Sequence, residues 1–161
     1  MRVLEGLQMP LEGKNALNYW WRAKNPAIIF FNFLIVQLCR HLPSVSLKNG
    51  LYHLLGMKIG KNTAFAYGAT CDFFFPELIE IGENCVIGFN ATILAHEFLI
   101  KSANVGRVKI GDNVLIGANS TVLAGVKIGS NAQISAMSLV NSDIPPNCLA
   151  GGIPCRVIKK L

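Results

Sequence analysis

Charge is scarce in this chain: Asp, Glu, Lys and Arg make up 15% of its 161 residues, against 52% apolar residues. That balance excludes a disordered chain and implies extensive burial or contact with other subunits. A long apolar run is also missing. Ala27 to Leu38 is broken by Asn32 and Gln37 and falls short of the roughly 20 residues a spanning helix needs. No small-residue cleavage site follows it, so no secretory leader is expected. The five cysteines (Cys39, Cys71, Cys85, Cys148 and Cys155) contain no CxxC pair and are odd in number, which supports neither a disulfide framework nor a zinc knuckle. Reduced thiols in a cytoplasmic protein are the plain reading.

Acidic residues are thinnest at the start. Residues 1–61 hold eight Lys or Arg and two Glu, whereas residues 62–161 hold seven of each sign, so the whole net charge of +6 is N-terminal. It sits beside Tyr19, Trp20, Trp21, Phe30, Phe31 and Phe33. Basic and aromatic residues mixed in this way suit a membrane surface better than a nucleic acid.

What the chain has in abundance is a period of six. Aliphatic-Gly pairs recur at Ile59-Gly60, Ile81-Gly82, Ile87-Gly88, Ile110-Gly111, Ile116-Gly117 and Ile128-Gly129, and the frame continues through Phe65, Cys71, Ile93, Val122, Ile134 and Val140. Twelve hexapeptides result, nine of them with a small or β-branched residue at the fifth position. Six residues make a short strand and a corner. Three such units close a triangular coil of 18 residues, and residues 18 apart then stack at about 4.8 Å. Ile110 to Ile128 is 18, Ile59 to Ile81 is 18 plus 4, and Ile81 to Ile110 is 18 plus 11. The spacing therefore predicts a parallel β-helix of four coils with two corner insertions, the longer placed at Leu99 to Lys109.

Aligned in this way, one corner column reads Asn62, Asn84, Asn113, Asn131 and a second reads Gly68, Asn90, Asn119, Met137. Asn and Gly are the residues that accept left-handed torsions at tight corners. The third column reads Phe74, His96, Gly125, Asp143. A histidine thus occupies a corner beside the long insertion, next to a glycine that leaves space. Histidine is the side chain suited to proton transfer near neutral pH. His41 and His53 fall outside the repeat, so a three-histidine metal site is not supported and no metal is expected. Before Leu51 the period is absent, and about Asn15 to Leu55 reads as one or two helices. Residues 1–55 then form a helical cap with a further membrane-surface reading, and residues 56–161 the repeat domain. The end of the chain, with Pro145-Pro146 and Gly151-Gly152, reads as an irregular tail.

These residues resemble the left-handed β-helix hexapeptide-repeat acyltransferases, in particular the maltose, galactoside and surface-polysaccharide O-acetyltransferases. The likeness rests on the repeat, on Ile93-Leu94-Ala95-His96-Glu97 before the insertion, on Ile110-Gly111-Asp112-Asn113 through Ala118, and on Asp143-Ile144-Pro145-Pro146 with Gly151-Gly152-Ile153-Pro154-Cys155-Arg156. Leu115 and Ser142 depart from it, since many relatives carry Trp and Lys there. The resemblance implies a homotrimer with clefts between subunits and acetyl-CoA as donor. His96 would be the general base that activates a sugar hydroxyl, with Glu97 orienting the imidazole. Backbone near Gly117, Ala118, Ser135 and Ala136 would face the cofactor, Arg156 and Lys159 its phosphates, and Asn84, Lys101 and Arg107 the acceptor. The alternatives are an N- or serine O-acyltransferase of the same fold and a non-catalytic β-helix scaffold.

Overall fold

A computed structural model describes residues 2–9 and 11–161. Glu5–Gly6 forms a short strand (β1) and Ala16–Arg22 a kinked 3-10 helix. Two α-helices follow, Pro26–His41 (α1) and Val45–Leu54 (α2). Each starts for a local reason. The Asn25 side chain accepts from the Ala27 N–H while Pro26 fills a position where no amide hydrogen is needed, and the Ser44 hydroxyl accepts from the Leu47 N–H.

Strands then come three to a coil. The first coil holds Lys58–Ile59 (β2), Ala64–Phe65 (β3) and Thr70–Cys71 (β4). The second holds Ile79–Ile81 (β5), Val86–Ile87 (β6) and Thr92–Ile93 (β7). His96–Phe98 (β8) and Ala103–Val105 (β9) leave the coil before the third, Val108–Ile110 (β10), Leu115–Ile116 (β11) and Thr121–Val122 (β12), begins. The fourth holds Lys127–Ile128 (β13), Gln133–Ile134 (β14) and Leu139–Val140 (β15), and Cys148–Gly151 (β16) and Arg156–Lys160 (β17) close the chain.

Equivalent strands pair in parallel as β2-β5-β10-β13, β3-β6-β11-β14-β16 and β4-β7-β12-β15. The register lines up Ile59, Ile81, Ile110 and Ile128 on one side of the prism and Phe65, Ile87, Ile116 and Ile134 on the next, as the spacing predicts. All are buried, with Thr63, Cys85, Val114 and Ala132 filling the space between. Buried hydroxyls within the coils find acceptors: Thr63 Oγ1 donates to Gly82 O at 2.7 Å and Ser138 Oγ to Ser135 O at 2.7 Å.

The corners behave as the Asn columns require. Asn62, Asn84, Asn113 and Asn131 all have φ between 53° and 60°. Their amides also form a ladder, Asn84 to Asn113 to Asn131 to Asn147, at 2.8 to 3.2 Å.

Three expectations need correction. The long insertion is not a loop over Leu99 to Lys109. It is an antiparallel hairpin of β8 and β9 that begins at His96 itself, and Lys109 already lies in coil strand β10. β1 adds a third strand, pairing Glu5 with Val105. The space left at Gly125 is not open, because a Cβ there would stand 2.2 Å from Val3 O, and Val3 N–H donates to Gly125 O. The tail is regular where β17 pairs antiparallel with β16.

The helices cover the open end of the first coil. Lys48, buried to 2%, donates from Nζ to the carbonyls of Phe65 and Ala66 at 3.0 and 3.2 Å. Asn49 Nδ2 donates to Thr63 O and Asn32 Nδ2 to Phe73 O. Side chains of the cap thus satisfy backbone groups that a further coil would have taken, and Tyr52 packs its ring on Phe65 at 4.9 Å. Among the described residues no helix is long and apolar enough to cross a membrane.

Candidate active site

Both insertions fall at the same corner, and this builds the site. The shorter one carries Asp72 to Leu78, and the longer one starts at His96. Asp72 has 2% exposure and four donors. Its Oδ1 accepts the N–H groups of Phe74 at 2.8 Å and Phe75 at 3.1 Å; its Oδ2 accepts the Ala95 N–H at 2.7 Å and faces His96 Nδ1 at 2.5 Å. Burial alone would push the carboxyl up. The hydrogen bond and charge of His96, with the Ala95 and Phe75 N–H groups, outweigh it and hold Asp72 below the usual carboxylate value. An ionised carboxylate is acceptor-only, so Nδ1 carries a proton, and in the neutral form of the ring the lone pair is on Nε2.

Three aromatic rings surround the imidazole. Phe74 stands at 4.7 Å, Phe98 at 4.9 Å and Phe75 at 6.2 Å between ring centroids. They exclude water from one side and, with Asp72, leave the ring little freedom to turn. A histidine held by a buried carboxylate, with one nitrogen bare, has the geometry to accept a proton at that nitrogen.

Glu97 does not orient the imidazole. Alternation along β8 sends it to the opposite face, where it pairs with Arg2. The carboxylate that does the orienting was missed because Asp72 lies 24 residues earlier in the sequence. One signal was available: Asp72 is the only acidic residue between Glu12 and Glu77.

The other candidate residues are spread over the prism. Asn84 belongs to the first corner and its amide to the Asn ladder. Gly117, Ala118, Ser135 and Ala136 cluster at the second corner, where a Cβ on Gly117 would lie 2.4 Å from Ala136 N. Ser135 in turn meets β16, and Arg156 pairs in register with Gly151, so this group continues upward to β17 and Lys159. His96 stands at the third corner. One chain therefore does not bring the three groups together. Lys101 lies beyond β8 beside Leu11 and Lys14. Arg107 donates to Glu80 at 2.7 Å, as does Lys58 at 3.1 Å. With Arg2 on Glu97 and Lys24 on Glu77, three of the eight basic residues in 1–61 are matched by carboxylates of the solenoid. No group of His, Cys, Asp or Glu suited to a metal ion occurs among the described residues.

Comparison with known proteins places this geometry. The family described as "Bacterial transferase hexapeptide (six repeats)" matches residues 107–142, and "Hexapeptide repeat of succinyl-transferase" matches residues 79–95. YvoF of Bacillus subtilis (strain 168), provisionally named an acetyltransferase, is 45% identical over 150 residues, covering 92% of this chain and 87% of its own. The chain belongs to the hexapeptide-repeat acyltransferase family. The fold is correspondingly a left-handed parallel β-helix. A hexapeptide-repeat acetyltransferase of Vibrio cholerae O1 biovar eltor, solved with acetyl coenzyme A, superposes with a TM-score of 0.71 at 22% identity, covering 84% of this chain and 87% of that one. The maltose O-acetyltransferase of Clostridium difficile 630 gives 0.54 at 25% identity, covering 84% and 87%. In this hexapeptide-repeat acyltransferase the corner histidine and the buried Asp72 form one unit.

Proposed function

We propose that the protein transfers an acetyl group from acetyl-CoA to a hydroxyl of a sugar or saccharide precursor, with His96 as general base. The observation that carries this reading is the buried Asp72–His96 pair with Nε2 free. The acceptor hydroxyl gives its proton to Nε2 as its oxygen attacks the thioester carbonyl. The C–O bond forms, the C–S bond then breaks, and the imidazolium returns the proton to the CoA thiolate. No covalent acyl-enzyme is needed. Asp72 is a positioning residue that keeps the proton on Nδ1 and stabilises the imidazolium.

The corner placement supports a homotrimer. His96, Asn84 and the Gly117–Ser135 cluster occupy three different edges, so a neighbouring subunit's edge must complete each site. Acetyl-CoA would then pass the second corner, where small residues permit close approach, with its phosphates toward Arg156 and Lys159. Lys101 is the exposed cation left for the acceptor side. The cap's aromatic and basic residues fit a peripheral contact with the inner membrane surface, and five free, buried thiols suit a reducing compartment.

The deciding measurement is release of CoA thiol from acetyl-CoA with a panel of saccharides, using wild type and His96→Ala. Loss of the base lowers turnover by about 10²- to 10⁴-fold. A His96→Ala protein that turns over at the wild-type rate would falsify the role of His96. Acetylation confined to amines would transfer the reading to N-acylation.

A further inference from the structure

A groove of about 340 Å³ lies beside α1, lined by apolar and aromatic side chains that include Leu17, Trp20, Phe30, Phe33 and Phe74. Its volume is at the small end for ligand sites, and it offers almost no hydrogen-bonding group. A saccharide would lose its hydrogen bonds with water there and gain none. One wall is Phe74, whose ring also lies 4.7 Å from His96. The other end opens at Phe30 and Phe33, which are 62% and 37% exposed. Beyond them the outer face of α1 carries Ile28, Phe31, Leu34 and Leu38, all exposed.

We propose that this groove holds the alkyl chain of an amphipathic acceptor, whose polar head then reaches His96. The inference rests on the acetyl-transfer reading and names its acceptor class. A chain entering from the α1 face leaves its head beside Phe74, next to the base. Charge argues for a lipid surface on the cap. From Gly13 to Cys71 the chain has no Asp or Glu; Arg22, Lys24 and Lys58 pair with Glu12, Glu77 and Glu80, which lie outside that stretch, and Lys14, Arg40 and Lys61 add further positive charge to it. A second copy docked by the same face would bring like charges together, whereas anionic lipid complements them.

The test compares methyl and octyl glycosides of one sugar, below micelle formation, with acetyl-CoA as donor. The octyl form should show a KM at least tenfold lower at similar kcat, and Leu17→Asp and Phe30→Asp, both at exposed positions, should abolish that preference without lowering the melting temperature. A binding arm needs no turnover. In Trp21→Phe, Trp20 is the only indole, and octyl glucoside should shift its emission to the blue saturably while methyl glucoside does not. Failure of every glycoside as acceptor with a positive Trp20 response would count against acetyl transfer to sugars and keep the chain site. Equal KM values with no Trp20 response would overturn the chain site alone. So would a groove-dependent preference for octanoyl-CoA over acetyl-CoA, or self-association that Phe30→Asp dissolves while octyl glucoside has no effect.

Discussion

Replacing Asp72 by Asn alters one atom and almost no volume, yet the four donors around it can no longer all be served. If the new NH2 takes the Oδ2 position, it meets the Ala95 N–H donor to donor. His96 must then turn a lone pair on Nδ1 toward it, which moves the ring proton to Nε2, the atom that has to be bare. If the NH2 takes the Oδ1 position, the N–H groups of Phe74 and Phe75 lose their acceptor instead. Either choice leaves a buried donor unsatisfied, at about 1–3 kcal/mol. Relief of a buried charge offsets part of this, and the melting temperature should fall by about 2–4 °C for each kcal/mol that remains. Turnover is affected more. The tautomer that serves the hydrogen bonds best cannot act as base, so kcat should fall by about 10²- to 10⁴-fold. CoA release at saturating acetyl-CoA, followed for Asp72→Asn, His96→Ala and the double variant, tests the coupling. Because both substitutions disable one base, the double variant should match His96→Ala rather than the product of the two losses. An Asp72→Asn enzyme within about tenfold of wild type, or losses that multiply, would refute the coupling of the two residues.

Further outcomes follow from the same contacts. Asp72 is held below the ordinary carboxylate value, so its stabilisation is complete above about pH 4 and is lost as pH falls below that; denaturant midpoints of wild type and Asp72→Asn should therefore converge on acidification, and a constant gap would contradict this. Lys48→Met keeps the length of the side chain but strips the Phe65 and Ala66 carbonyls of their donor; thermal melts should show a loss of about 1–3 kcal/mol for each group left bare, and an unchanged melt would remove the cap's role in sealing the first coil. At Asn113, where φ is 55°, alanine should cost about 1–2 kcal/mol more than its lost hydrogen bonds. Glycine at the same position avoids that penalty, and equal melts for the two variants would mean that the corner torsion is not the cause.

The repeat was legible in the residues because a β-helix writes its geometry into a short local period. Each inward aliphatic, each small fifth residue and each corner Asn answers to its own turn of backbone, so counting by 18 located the stacks and gave the lengths of both insertions. His96 was legible for the opposite reason, being unlike the Asn and Gly that fill other corners. What the period cannot express is what an insertion does once outside it. Only the folded chain turned the eleven extra residues into a hairpin that starts at His96, closed it with β1 from the far end of the sequence, and sent Glu97 to Arg2. Asp72 was hidden for the same physical reason. Its role depends on the burial and the four donors that two coils create at one corner, and those exist only when residues 24 apart are stacked.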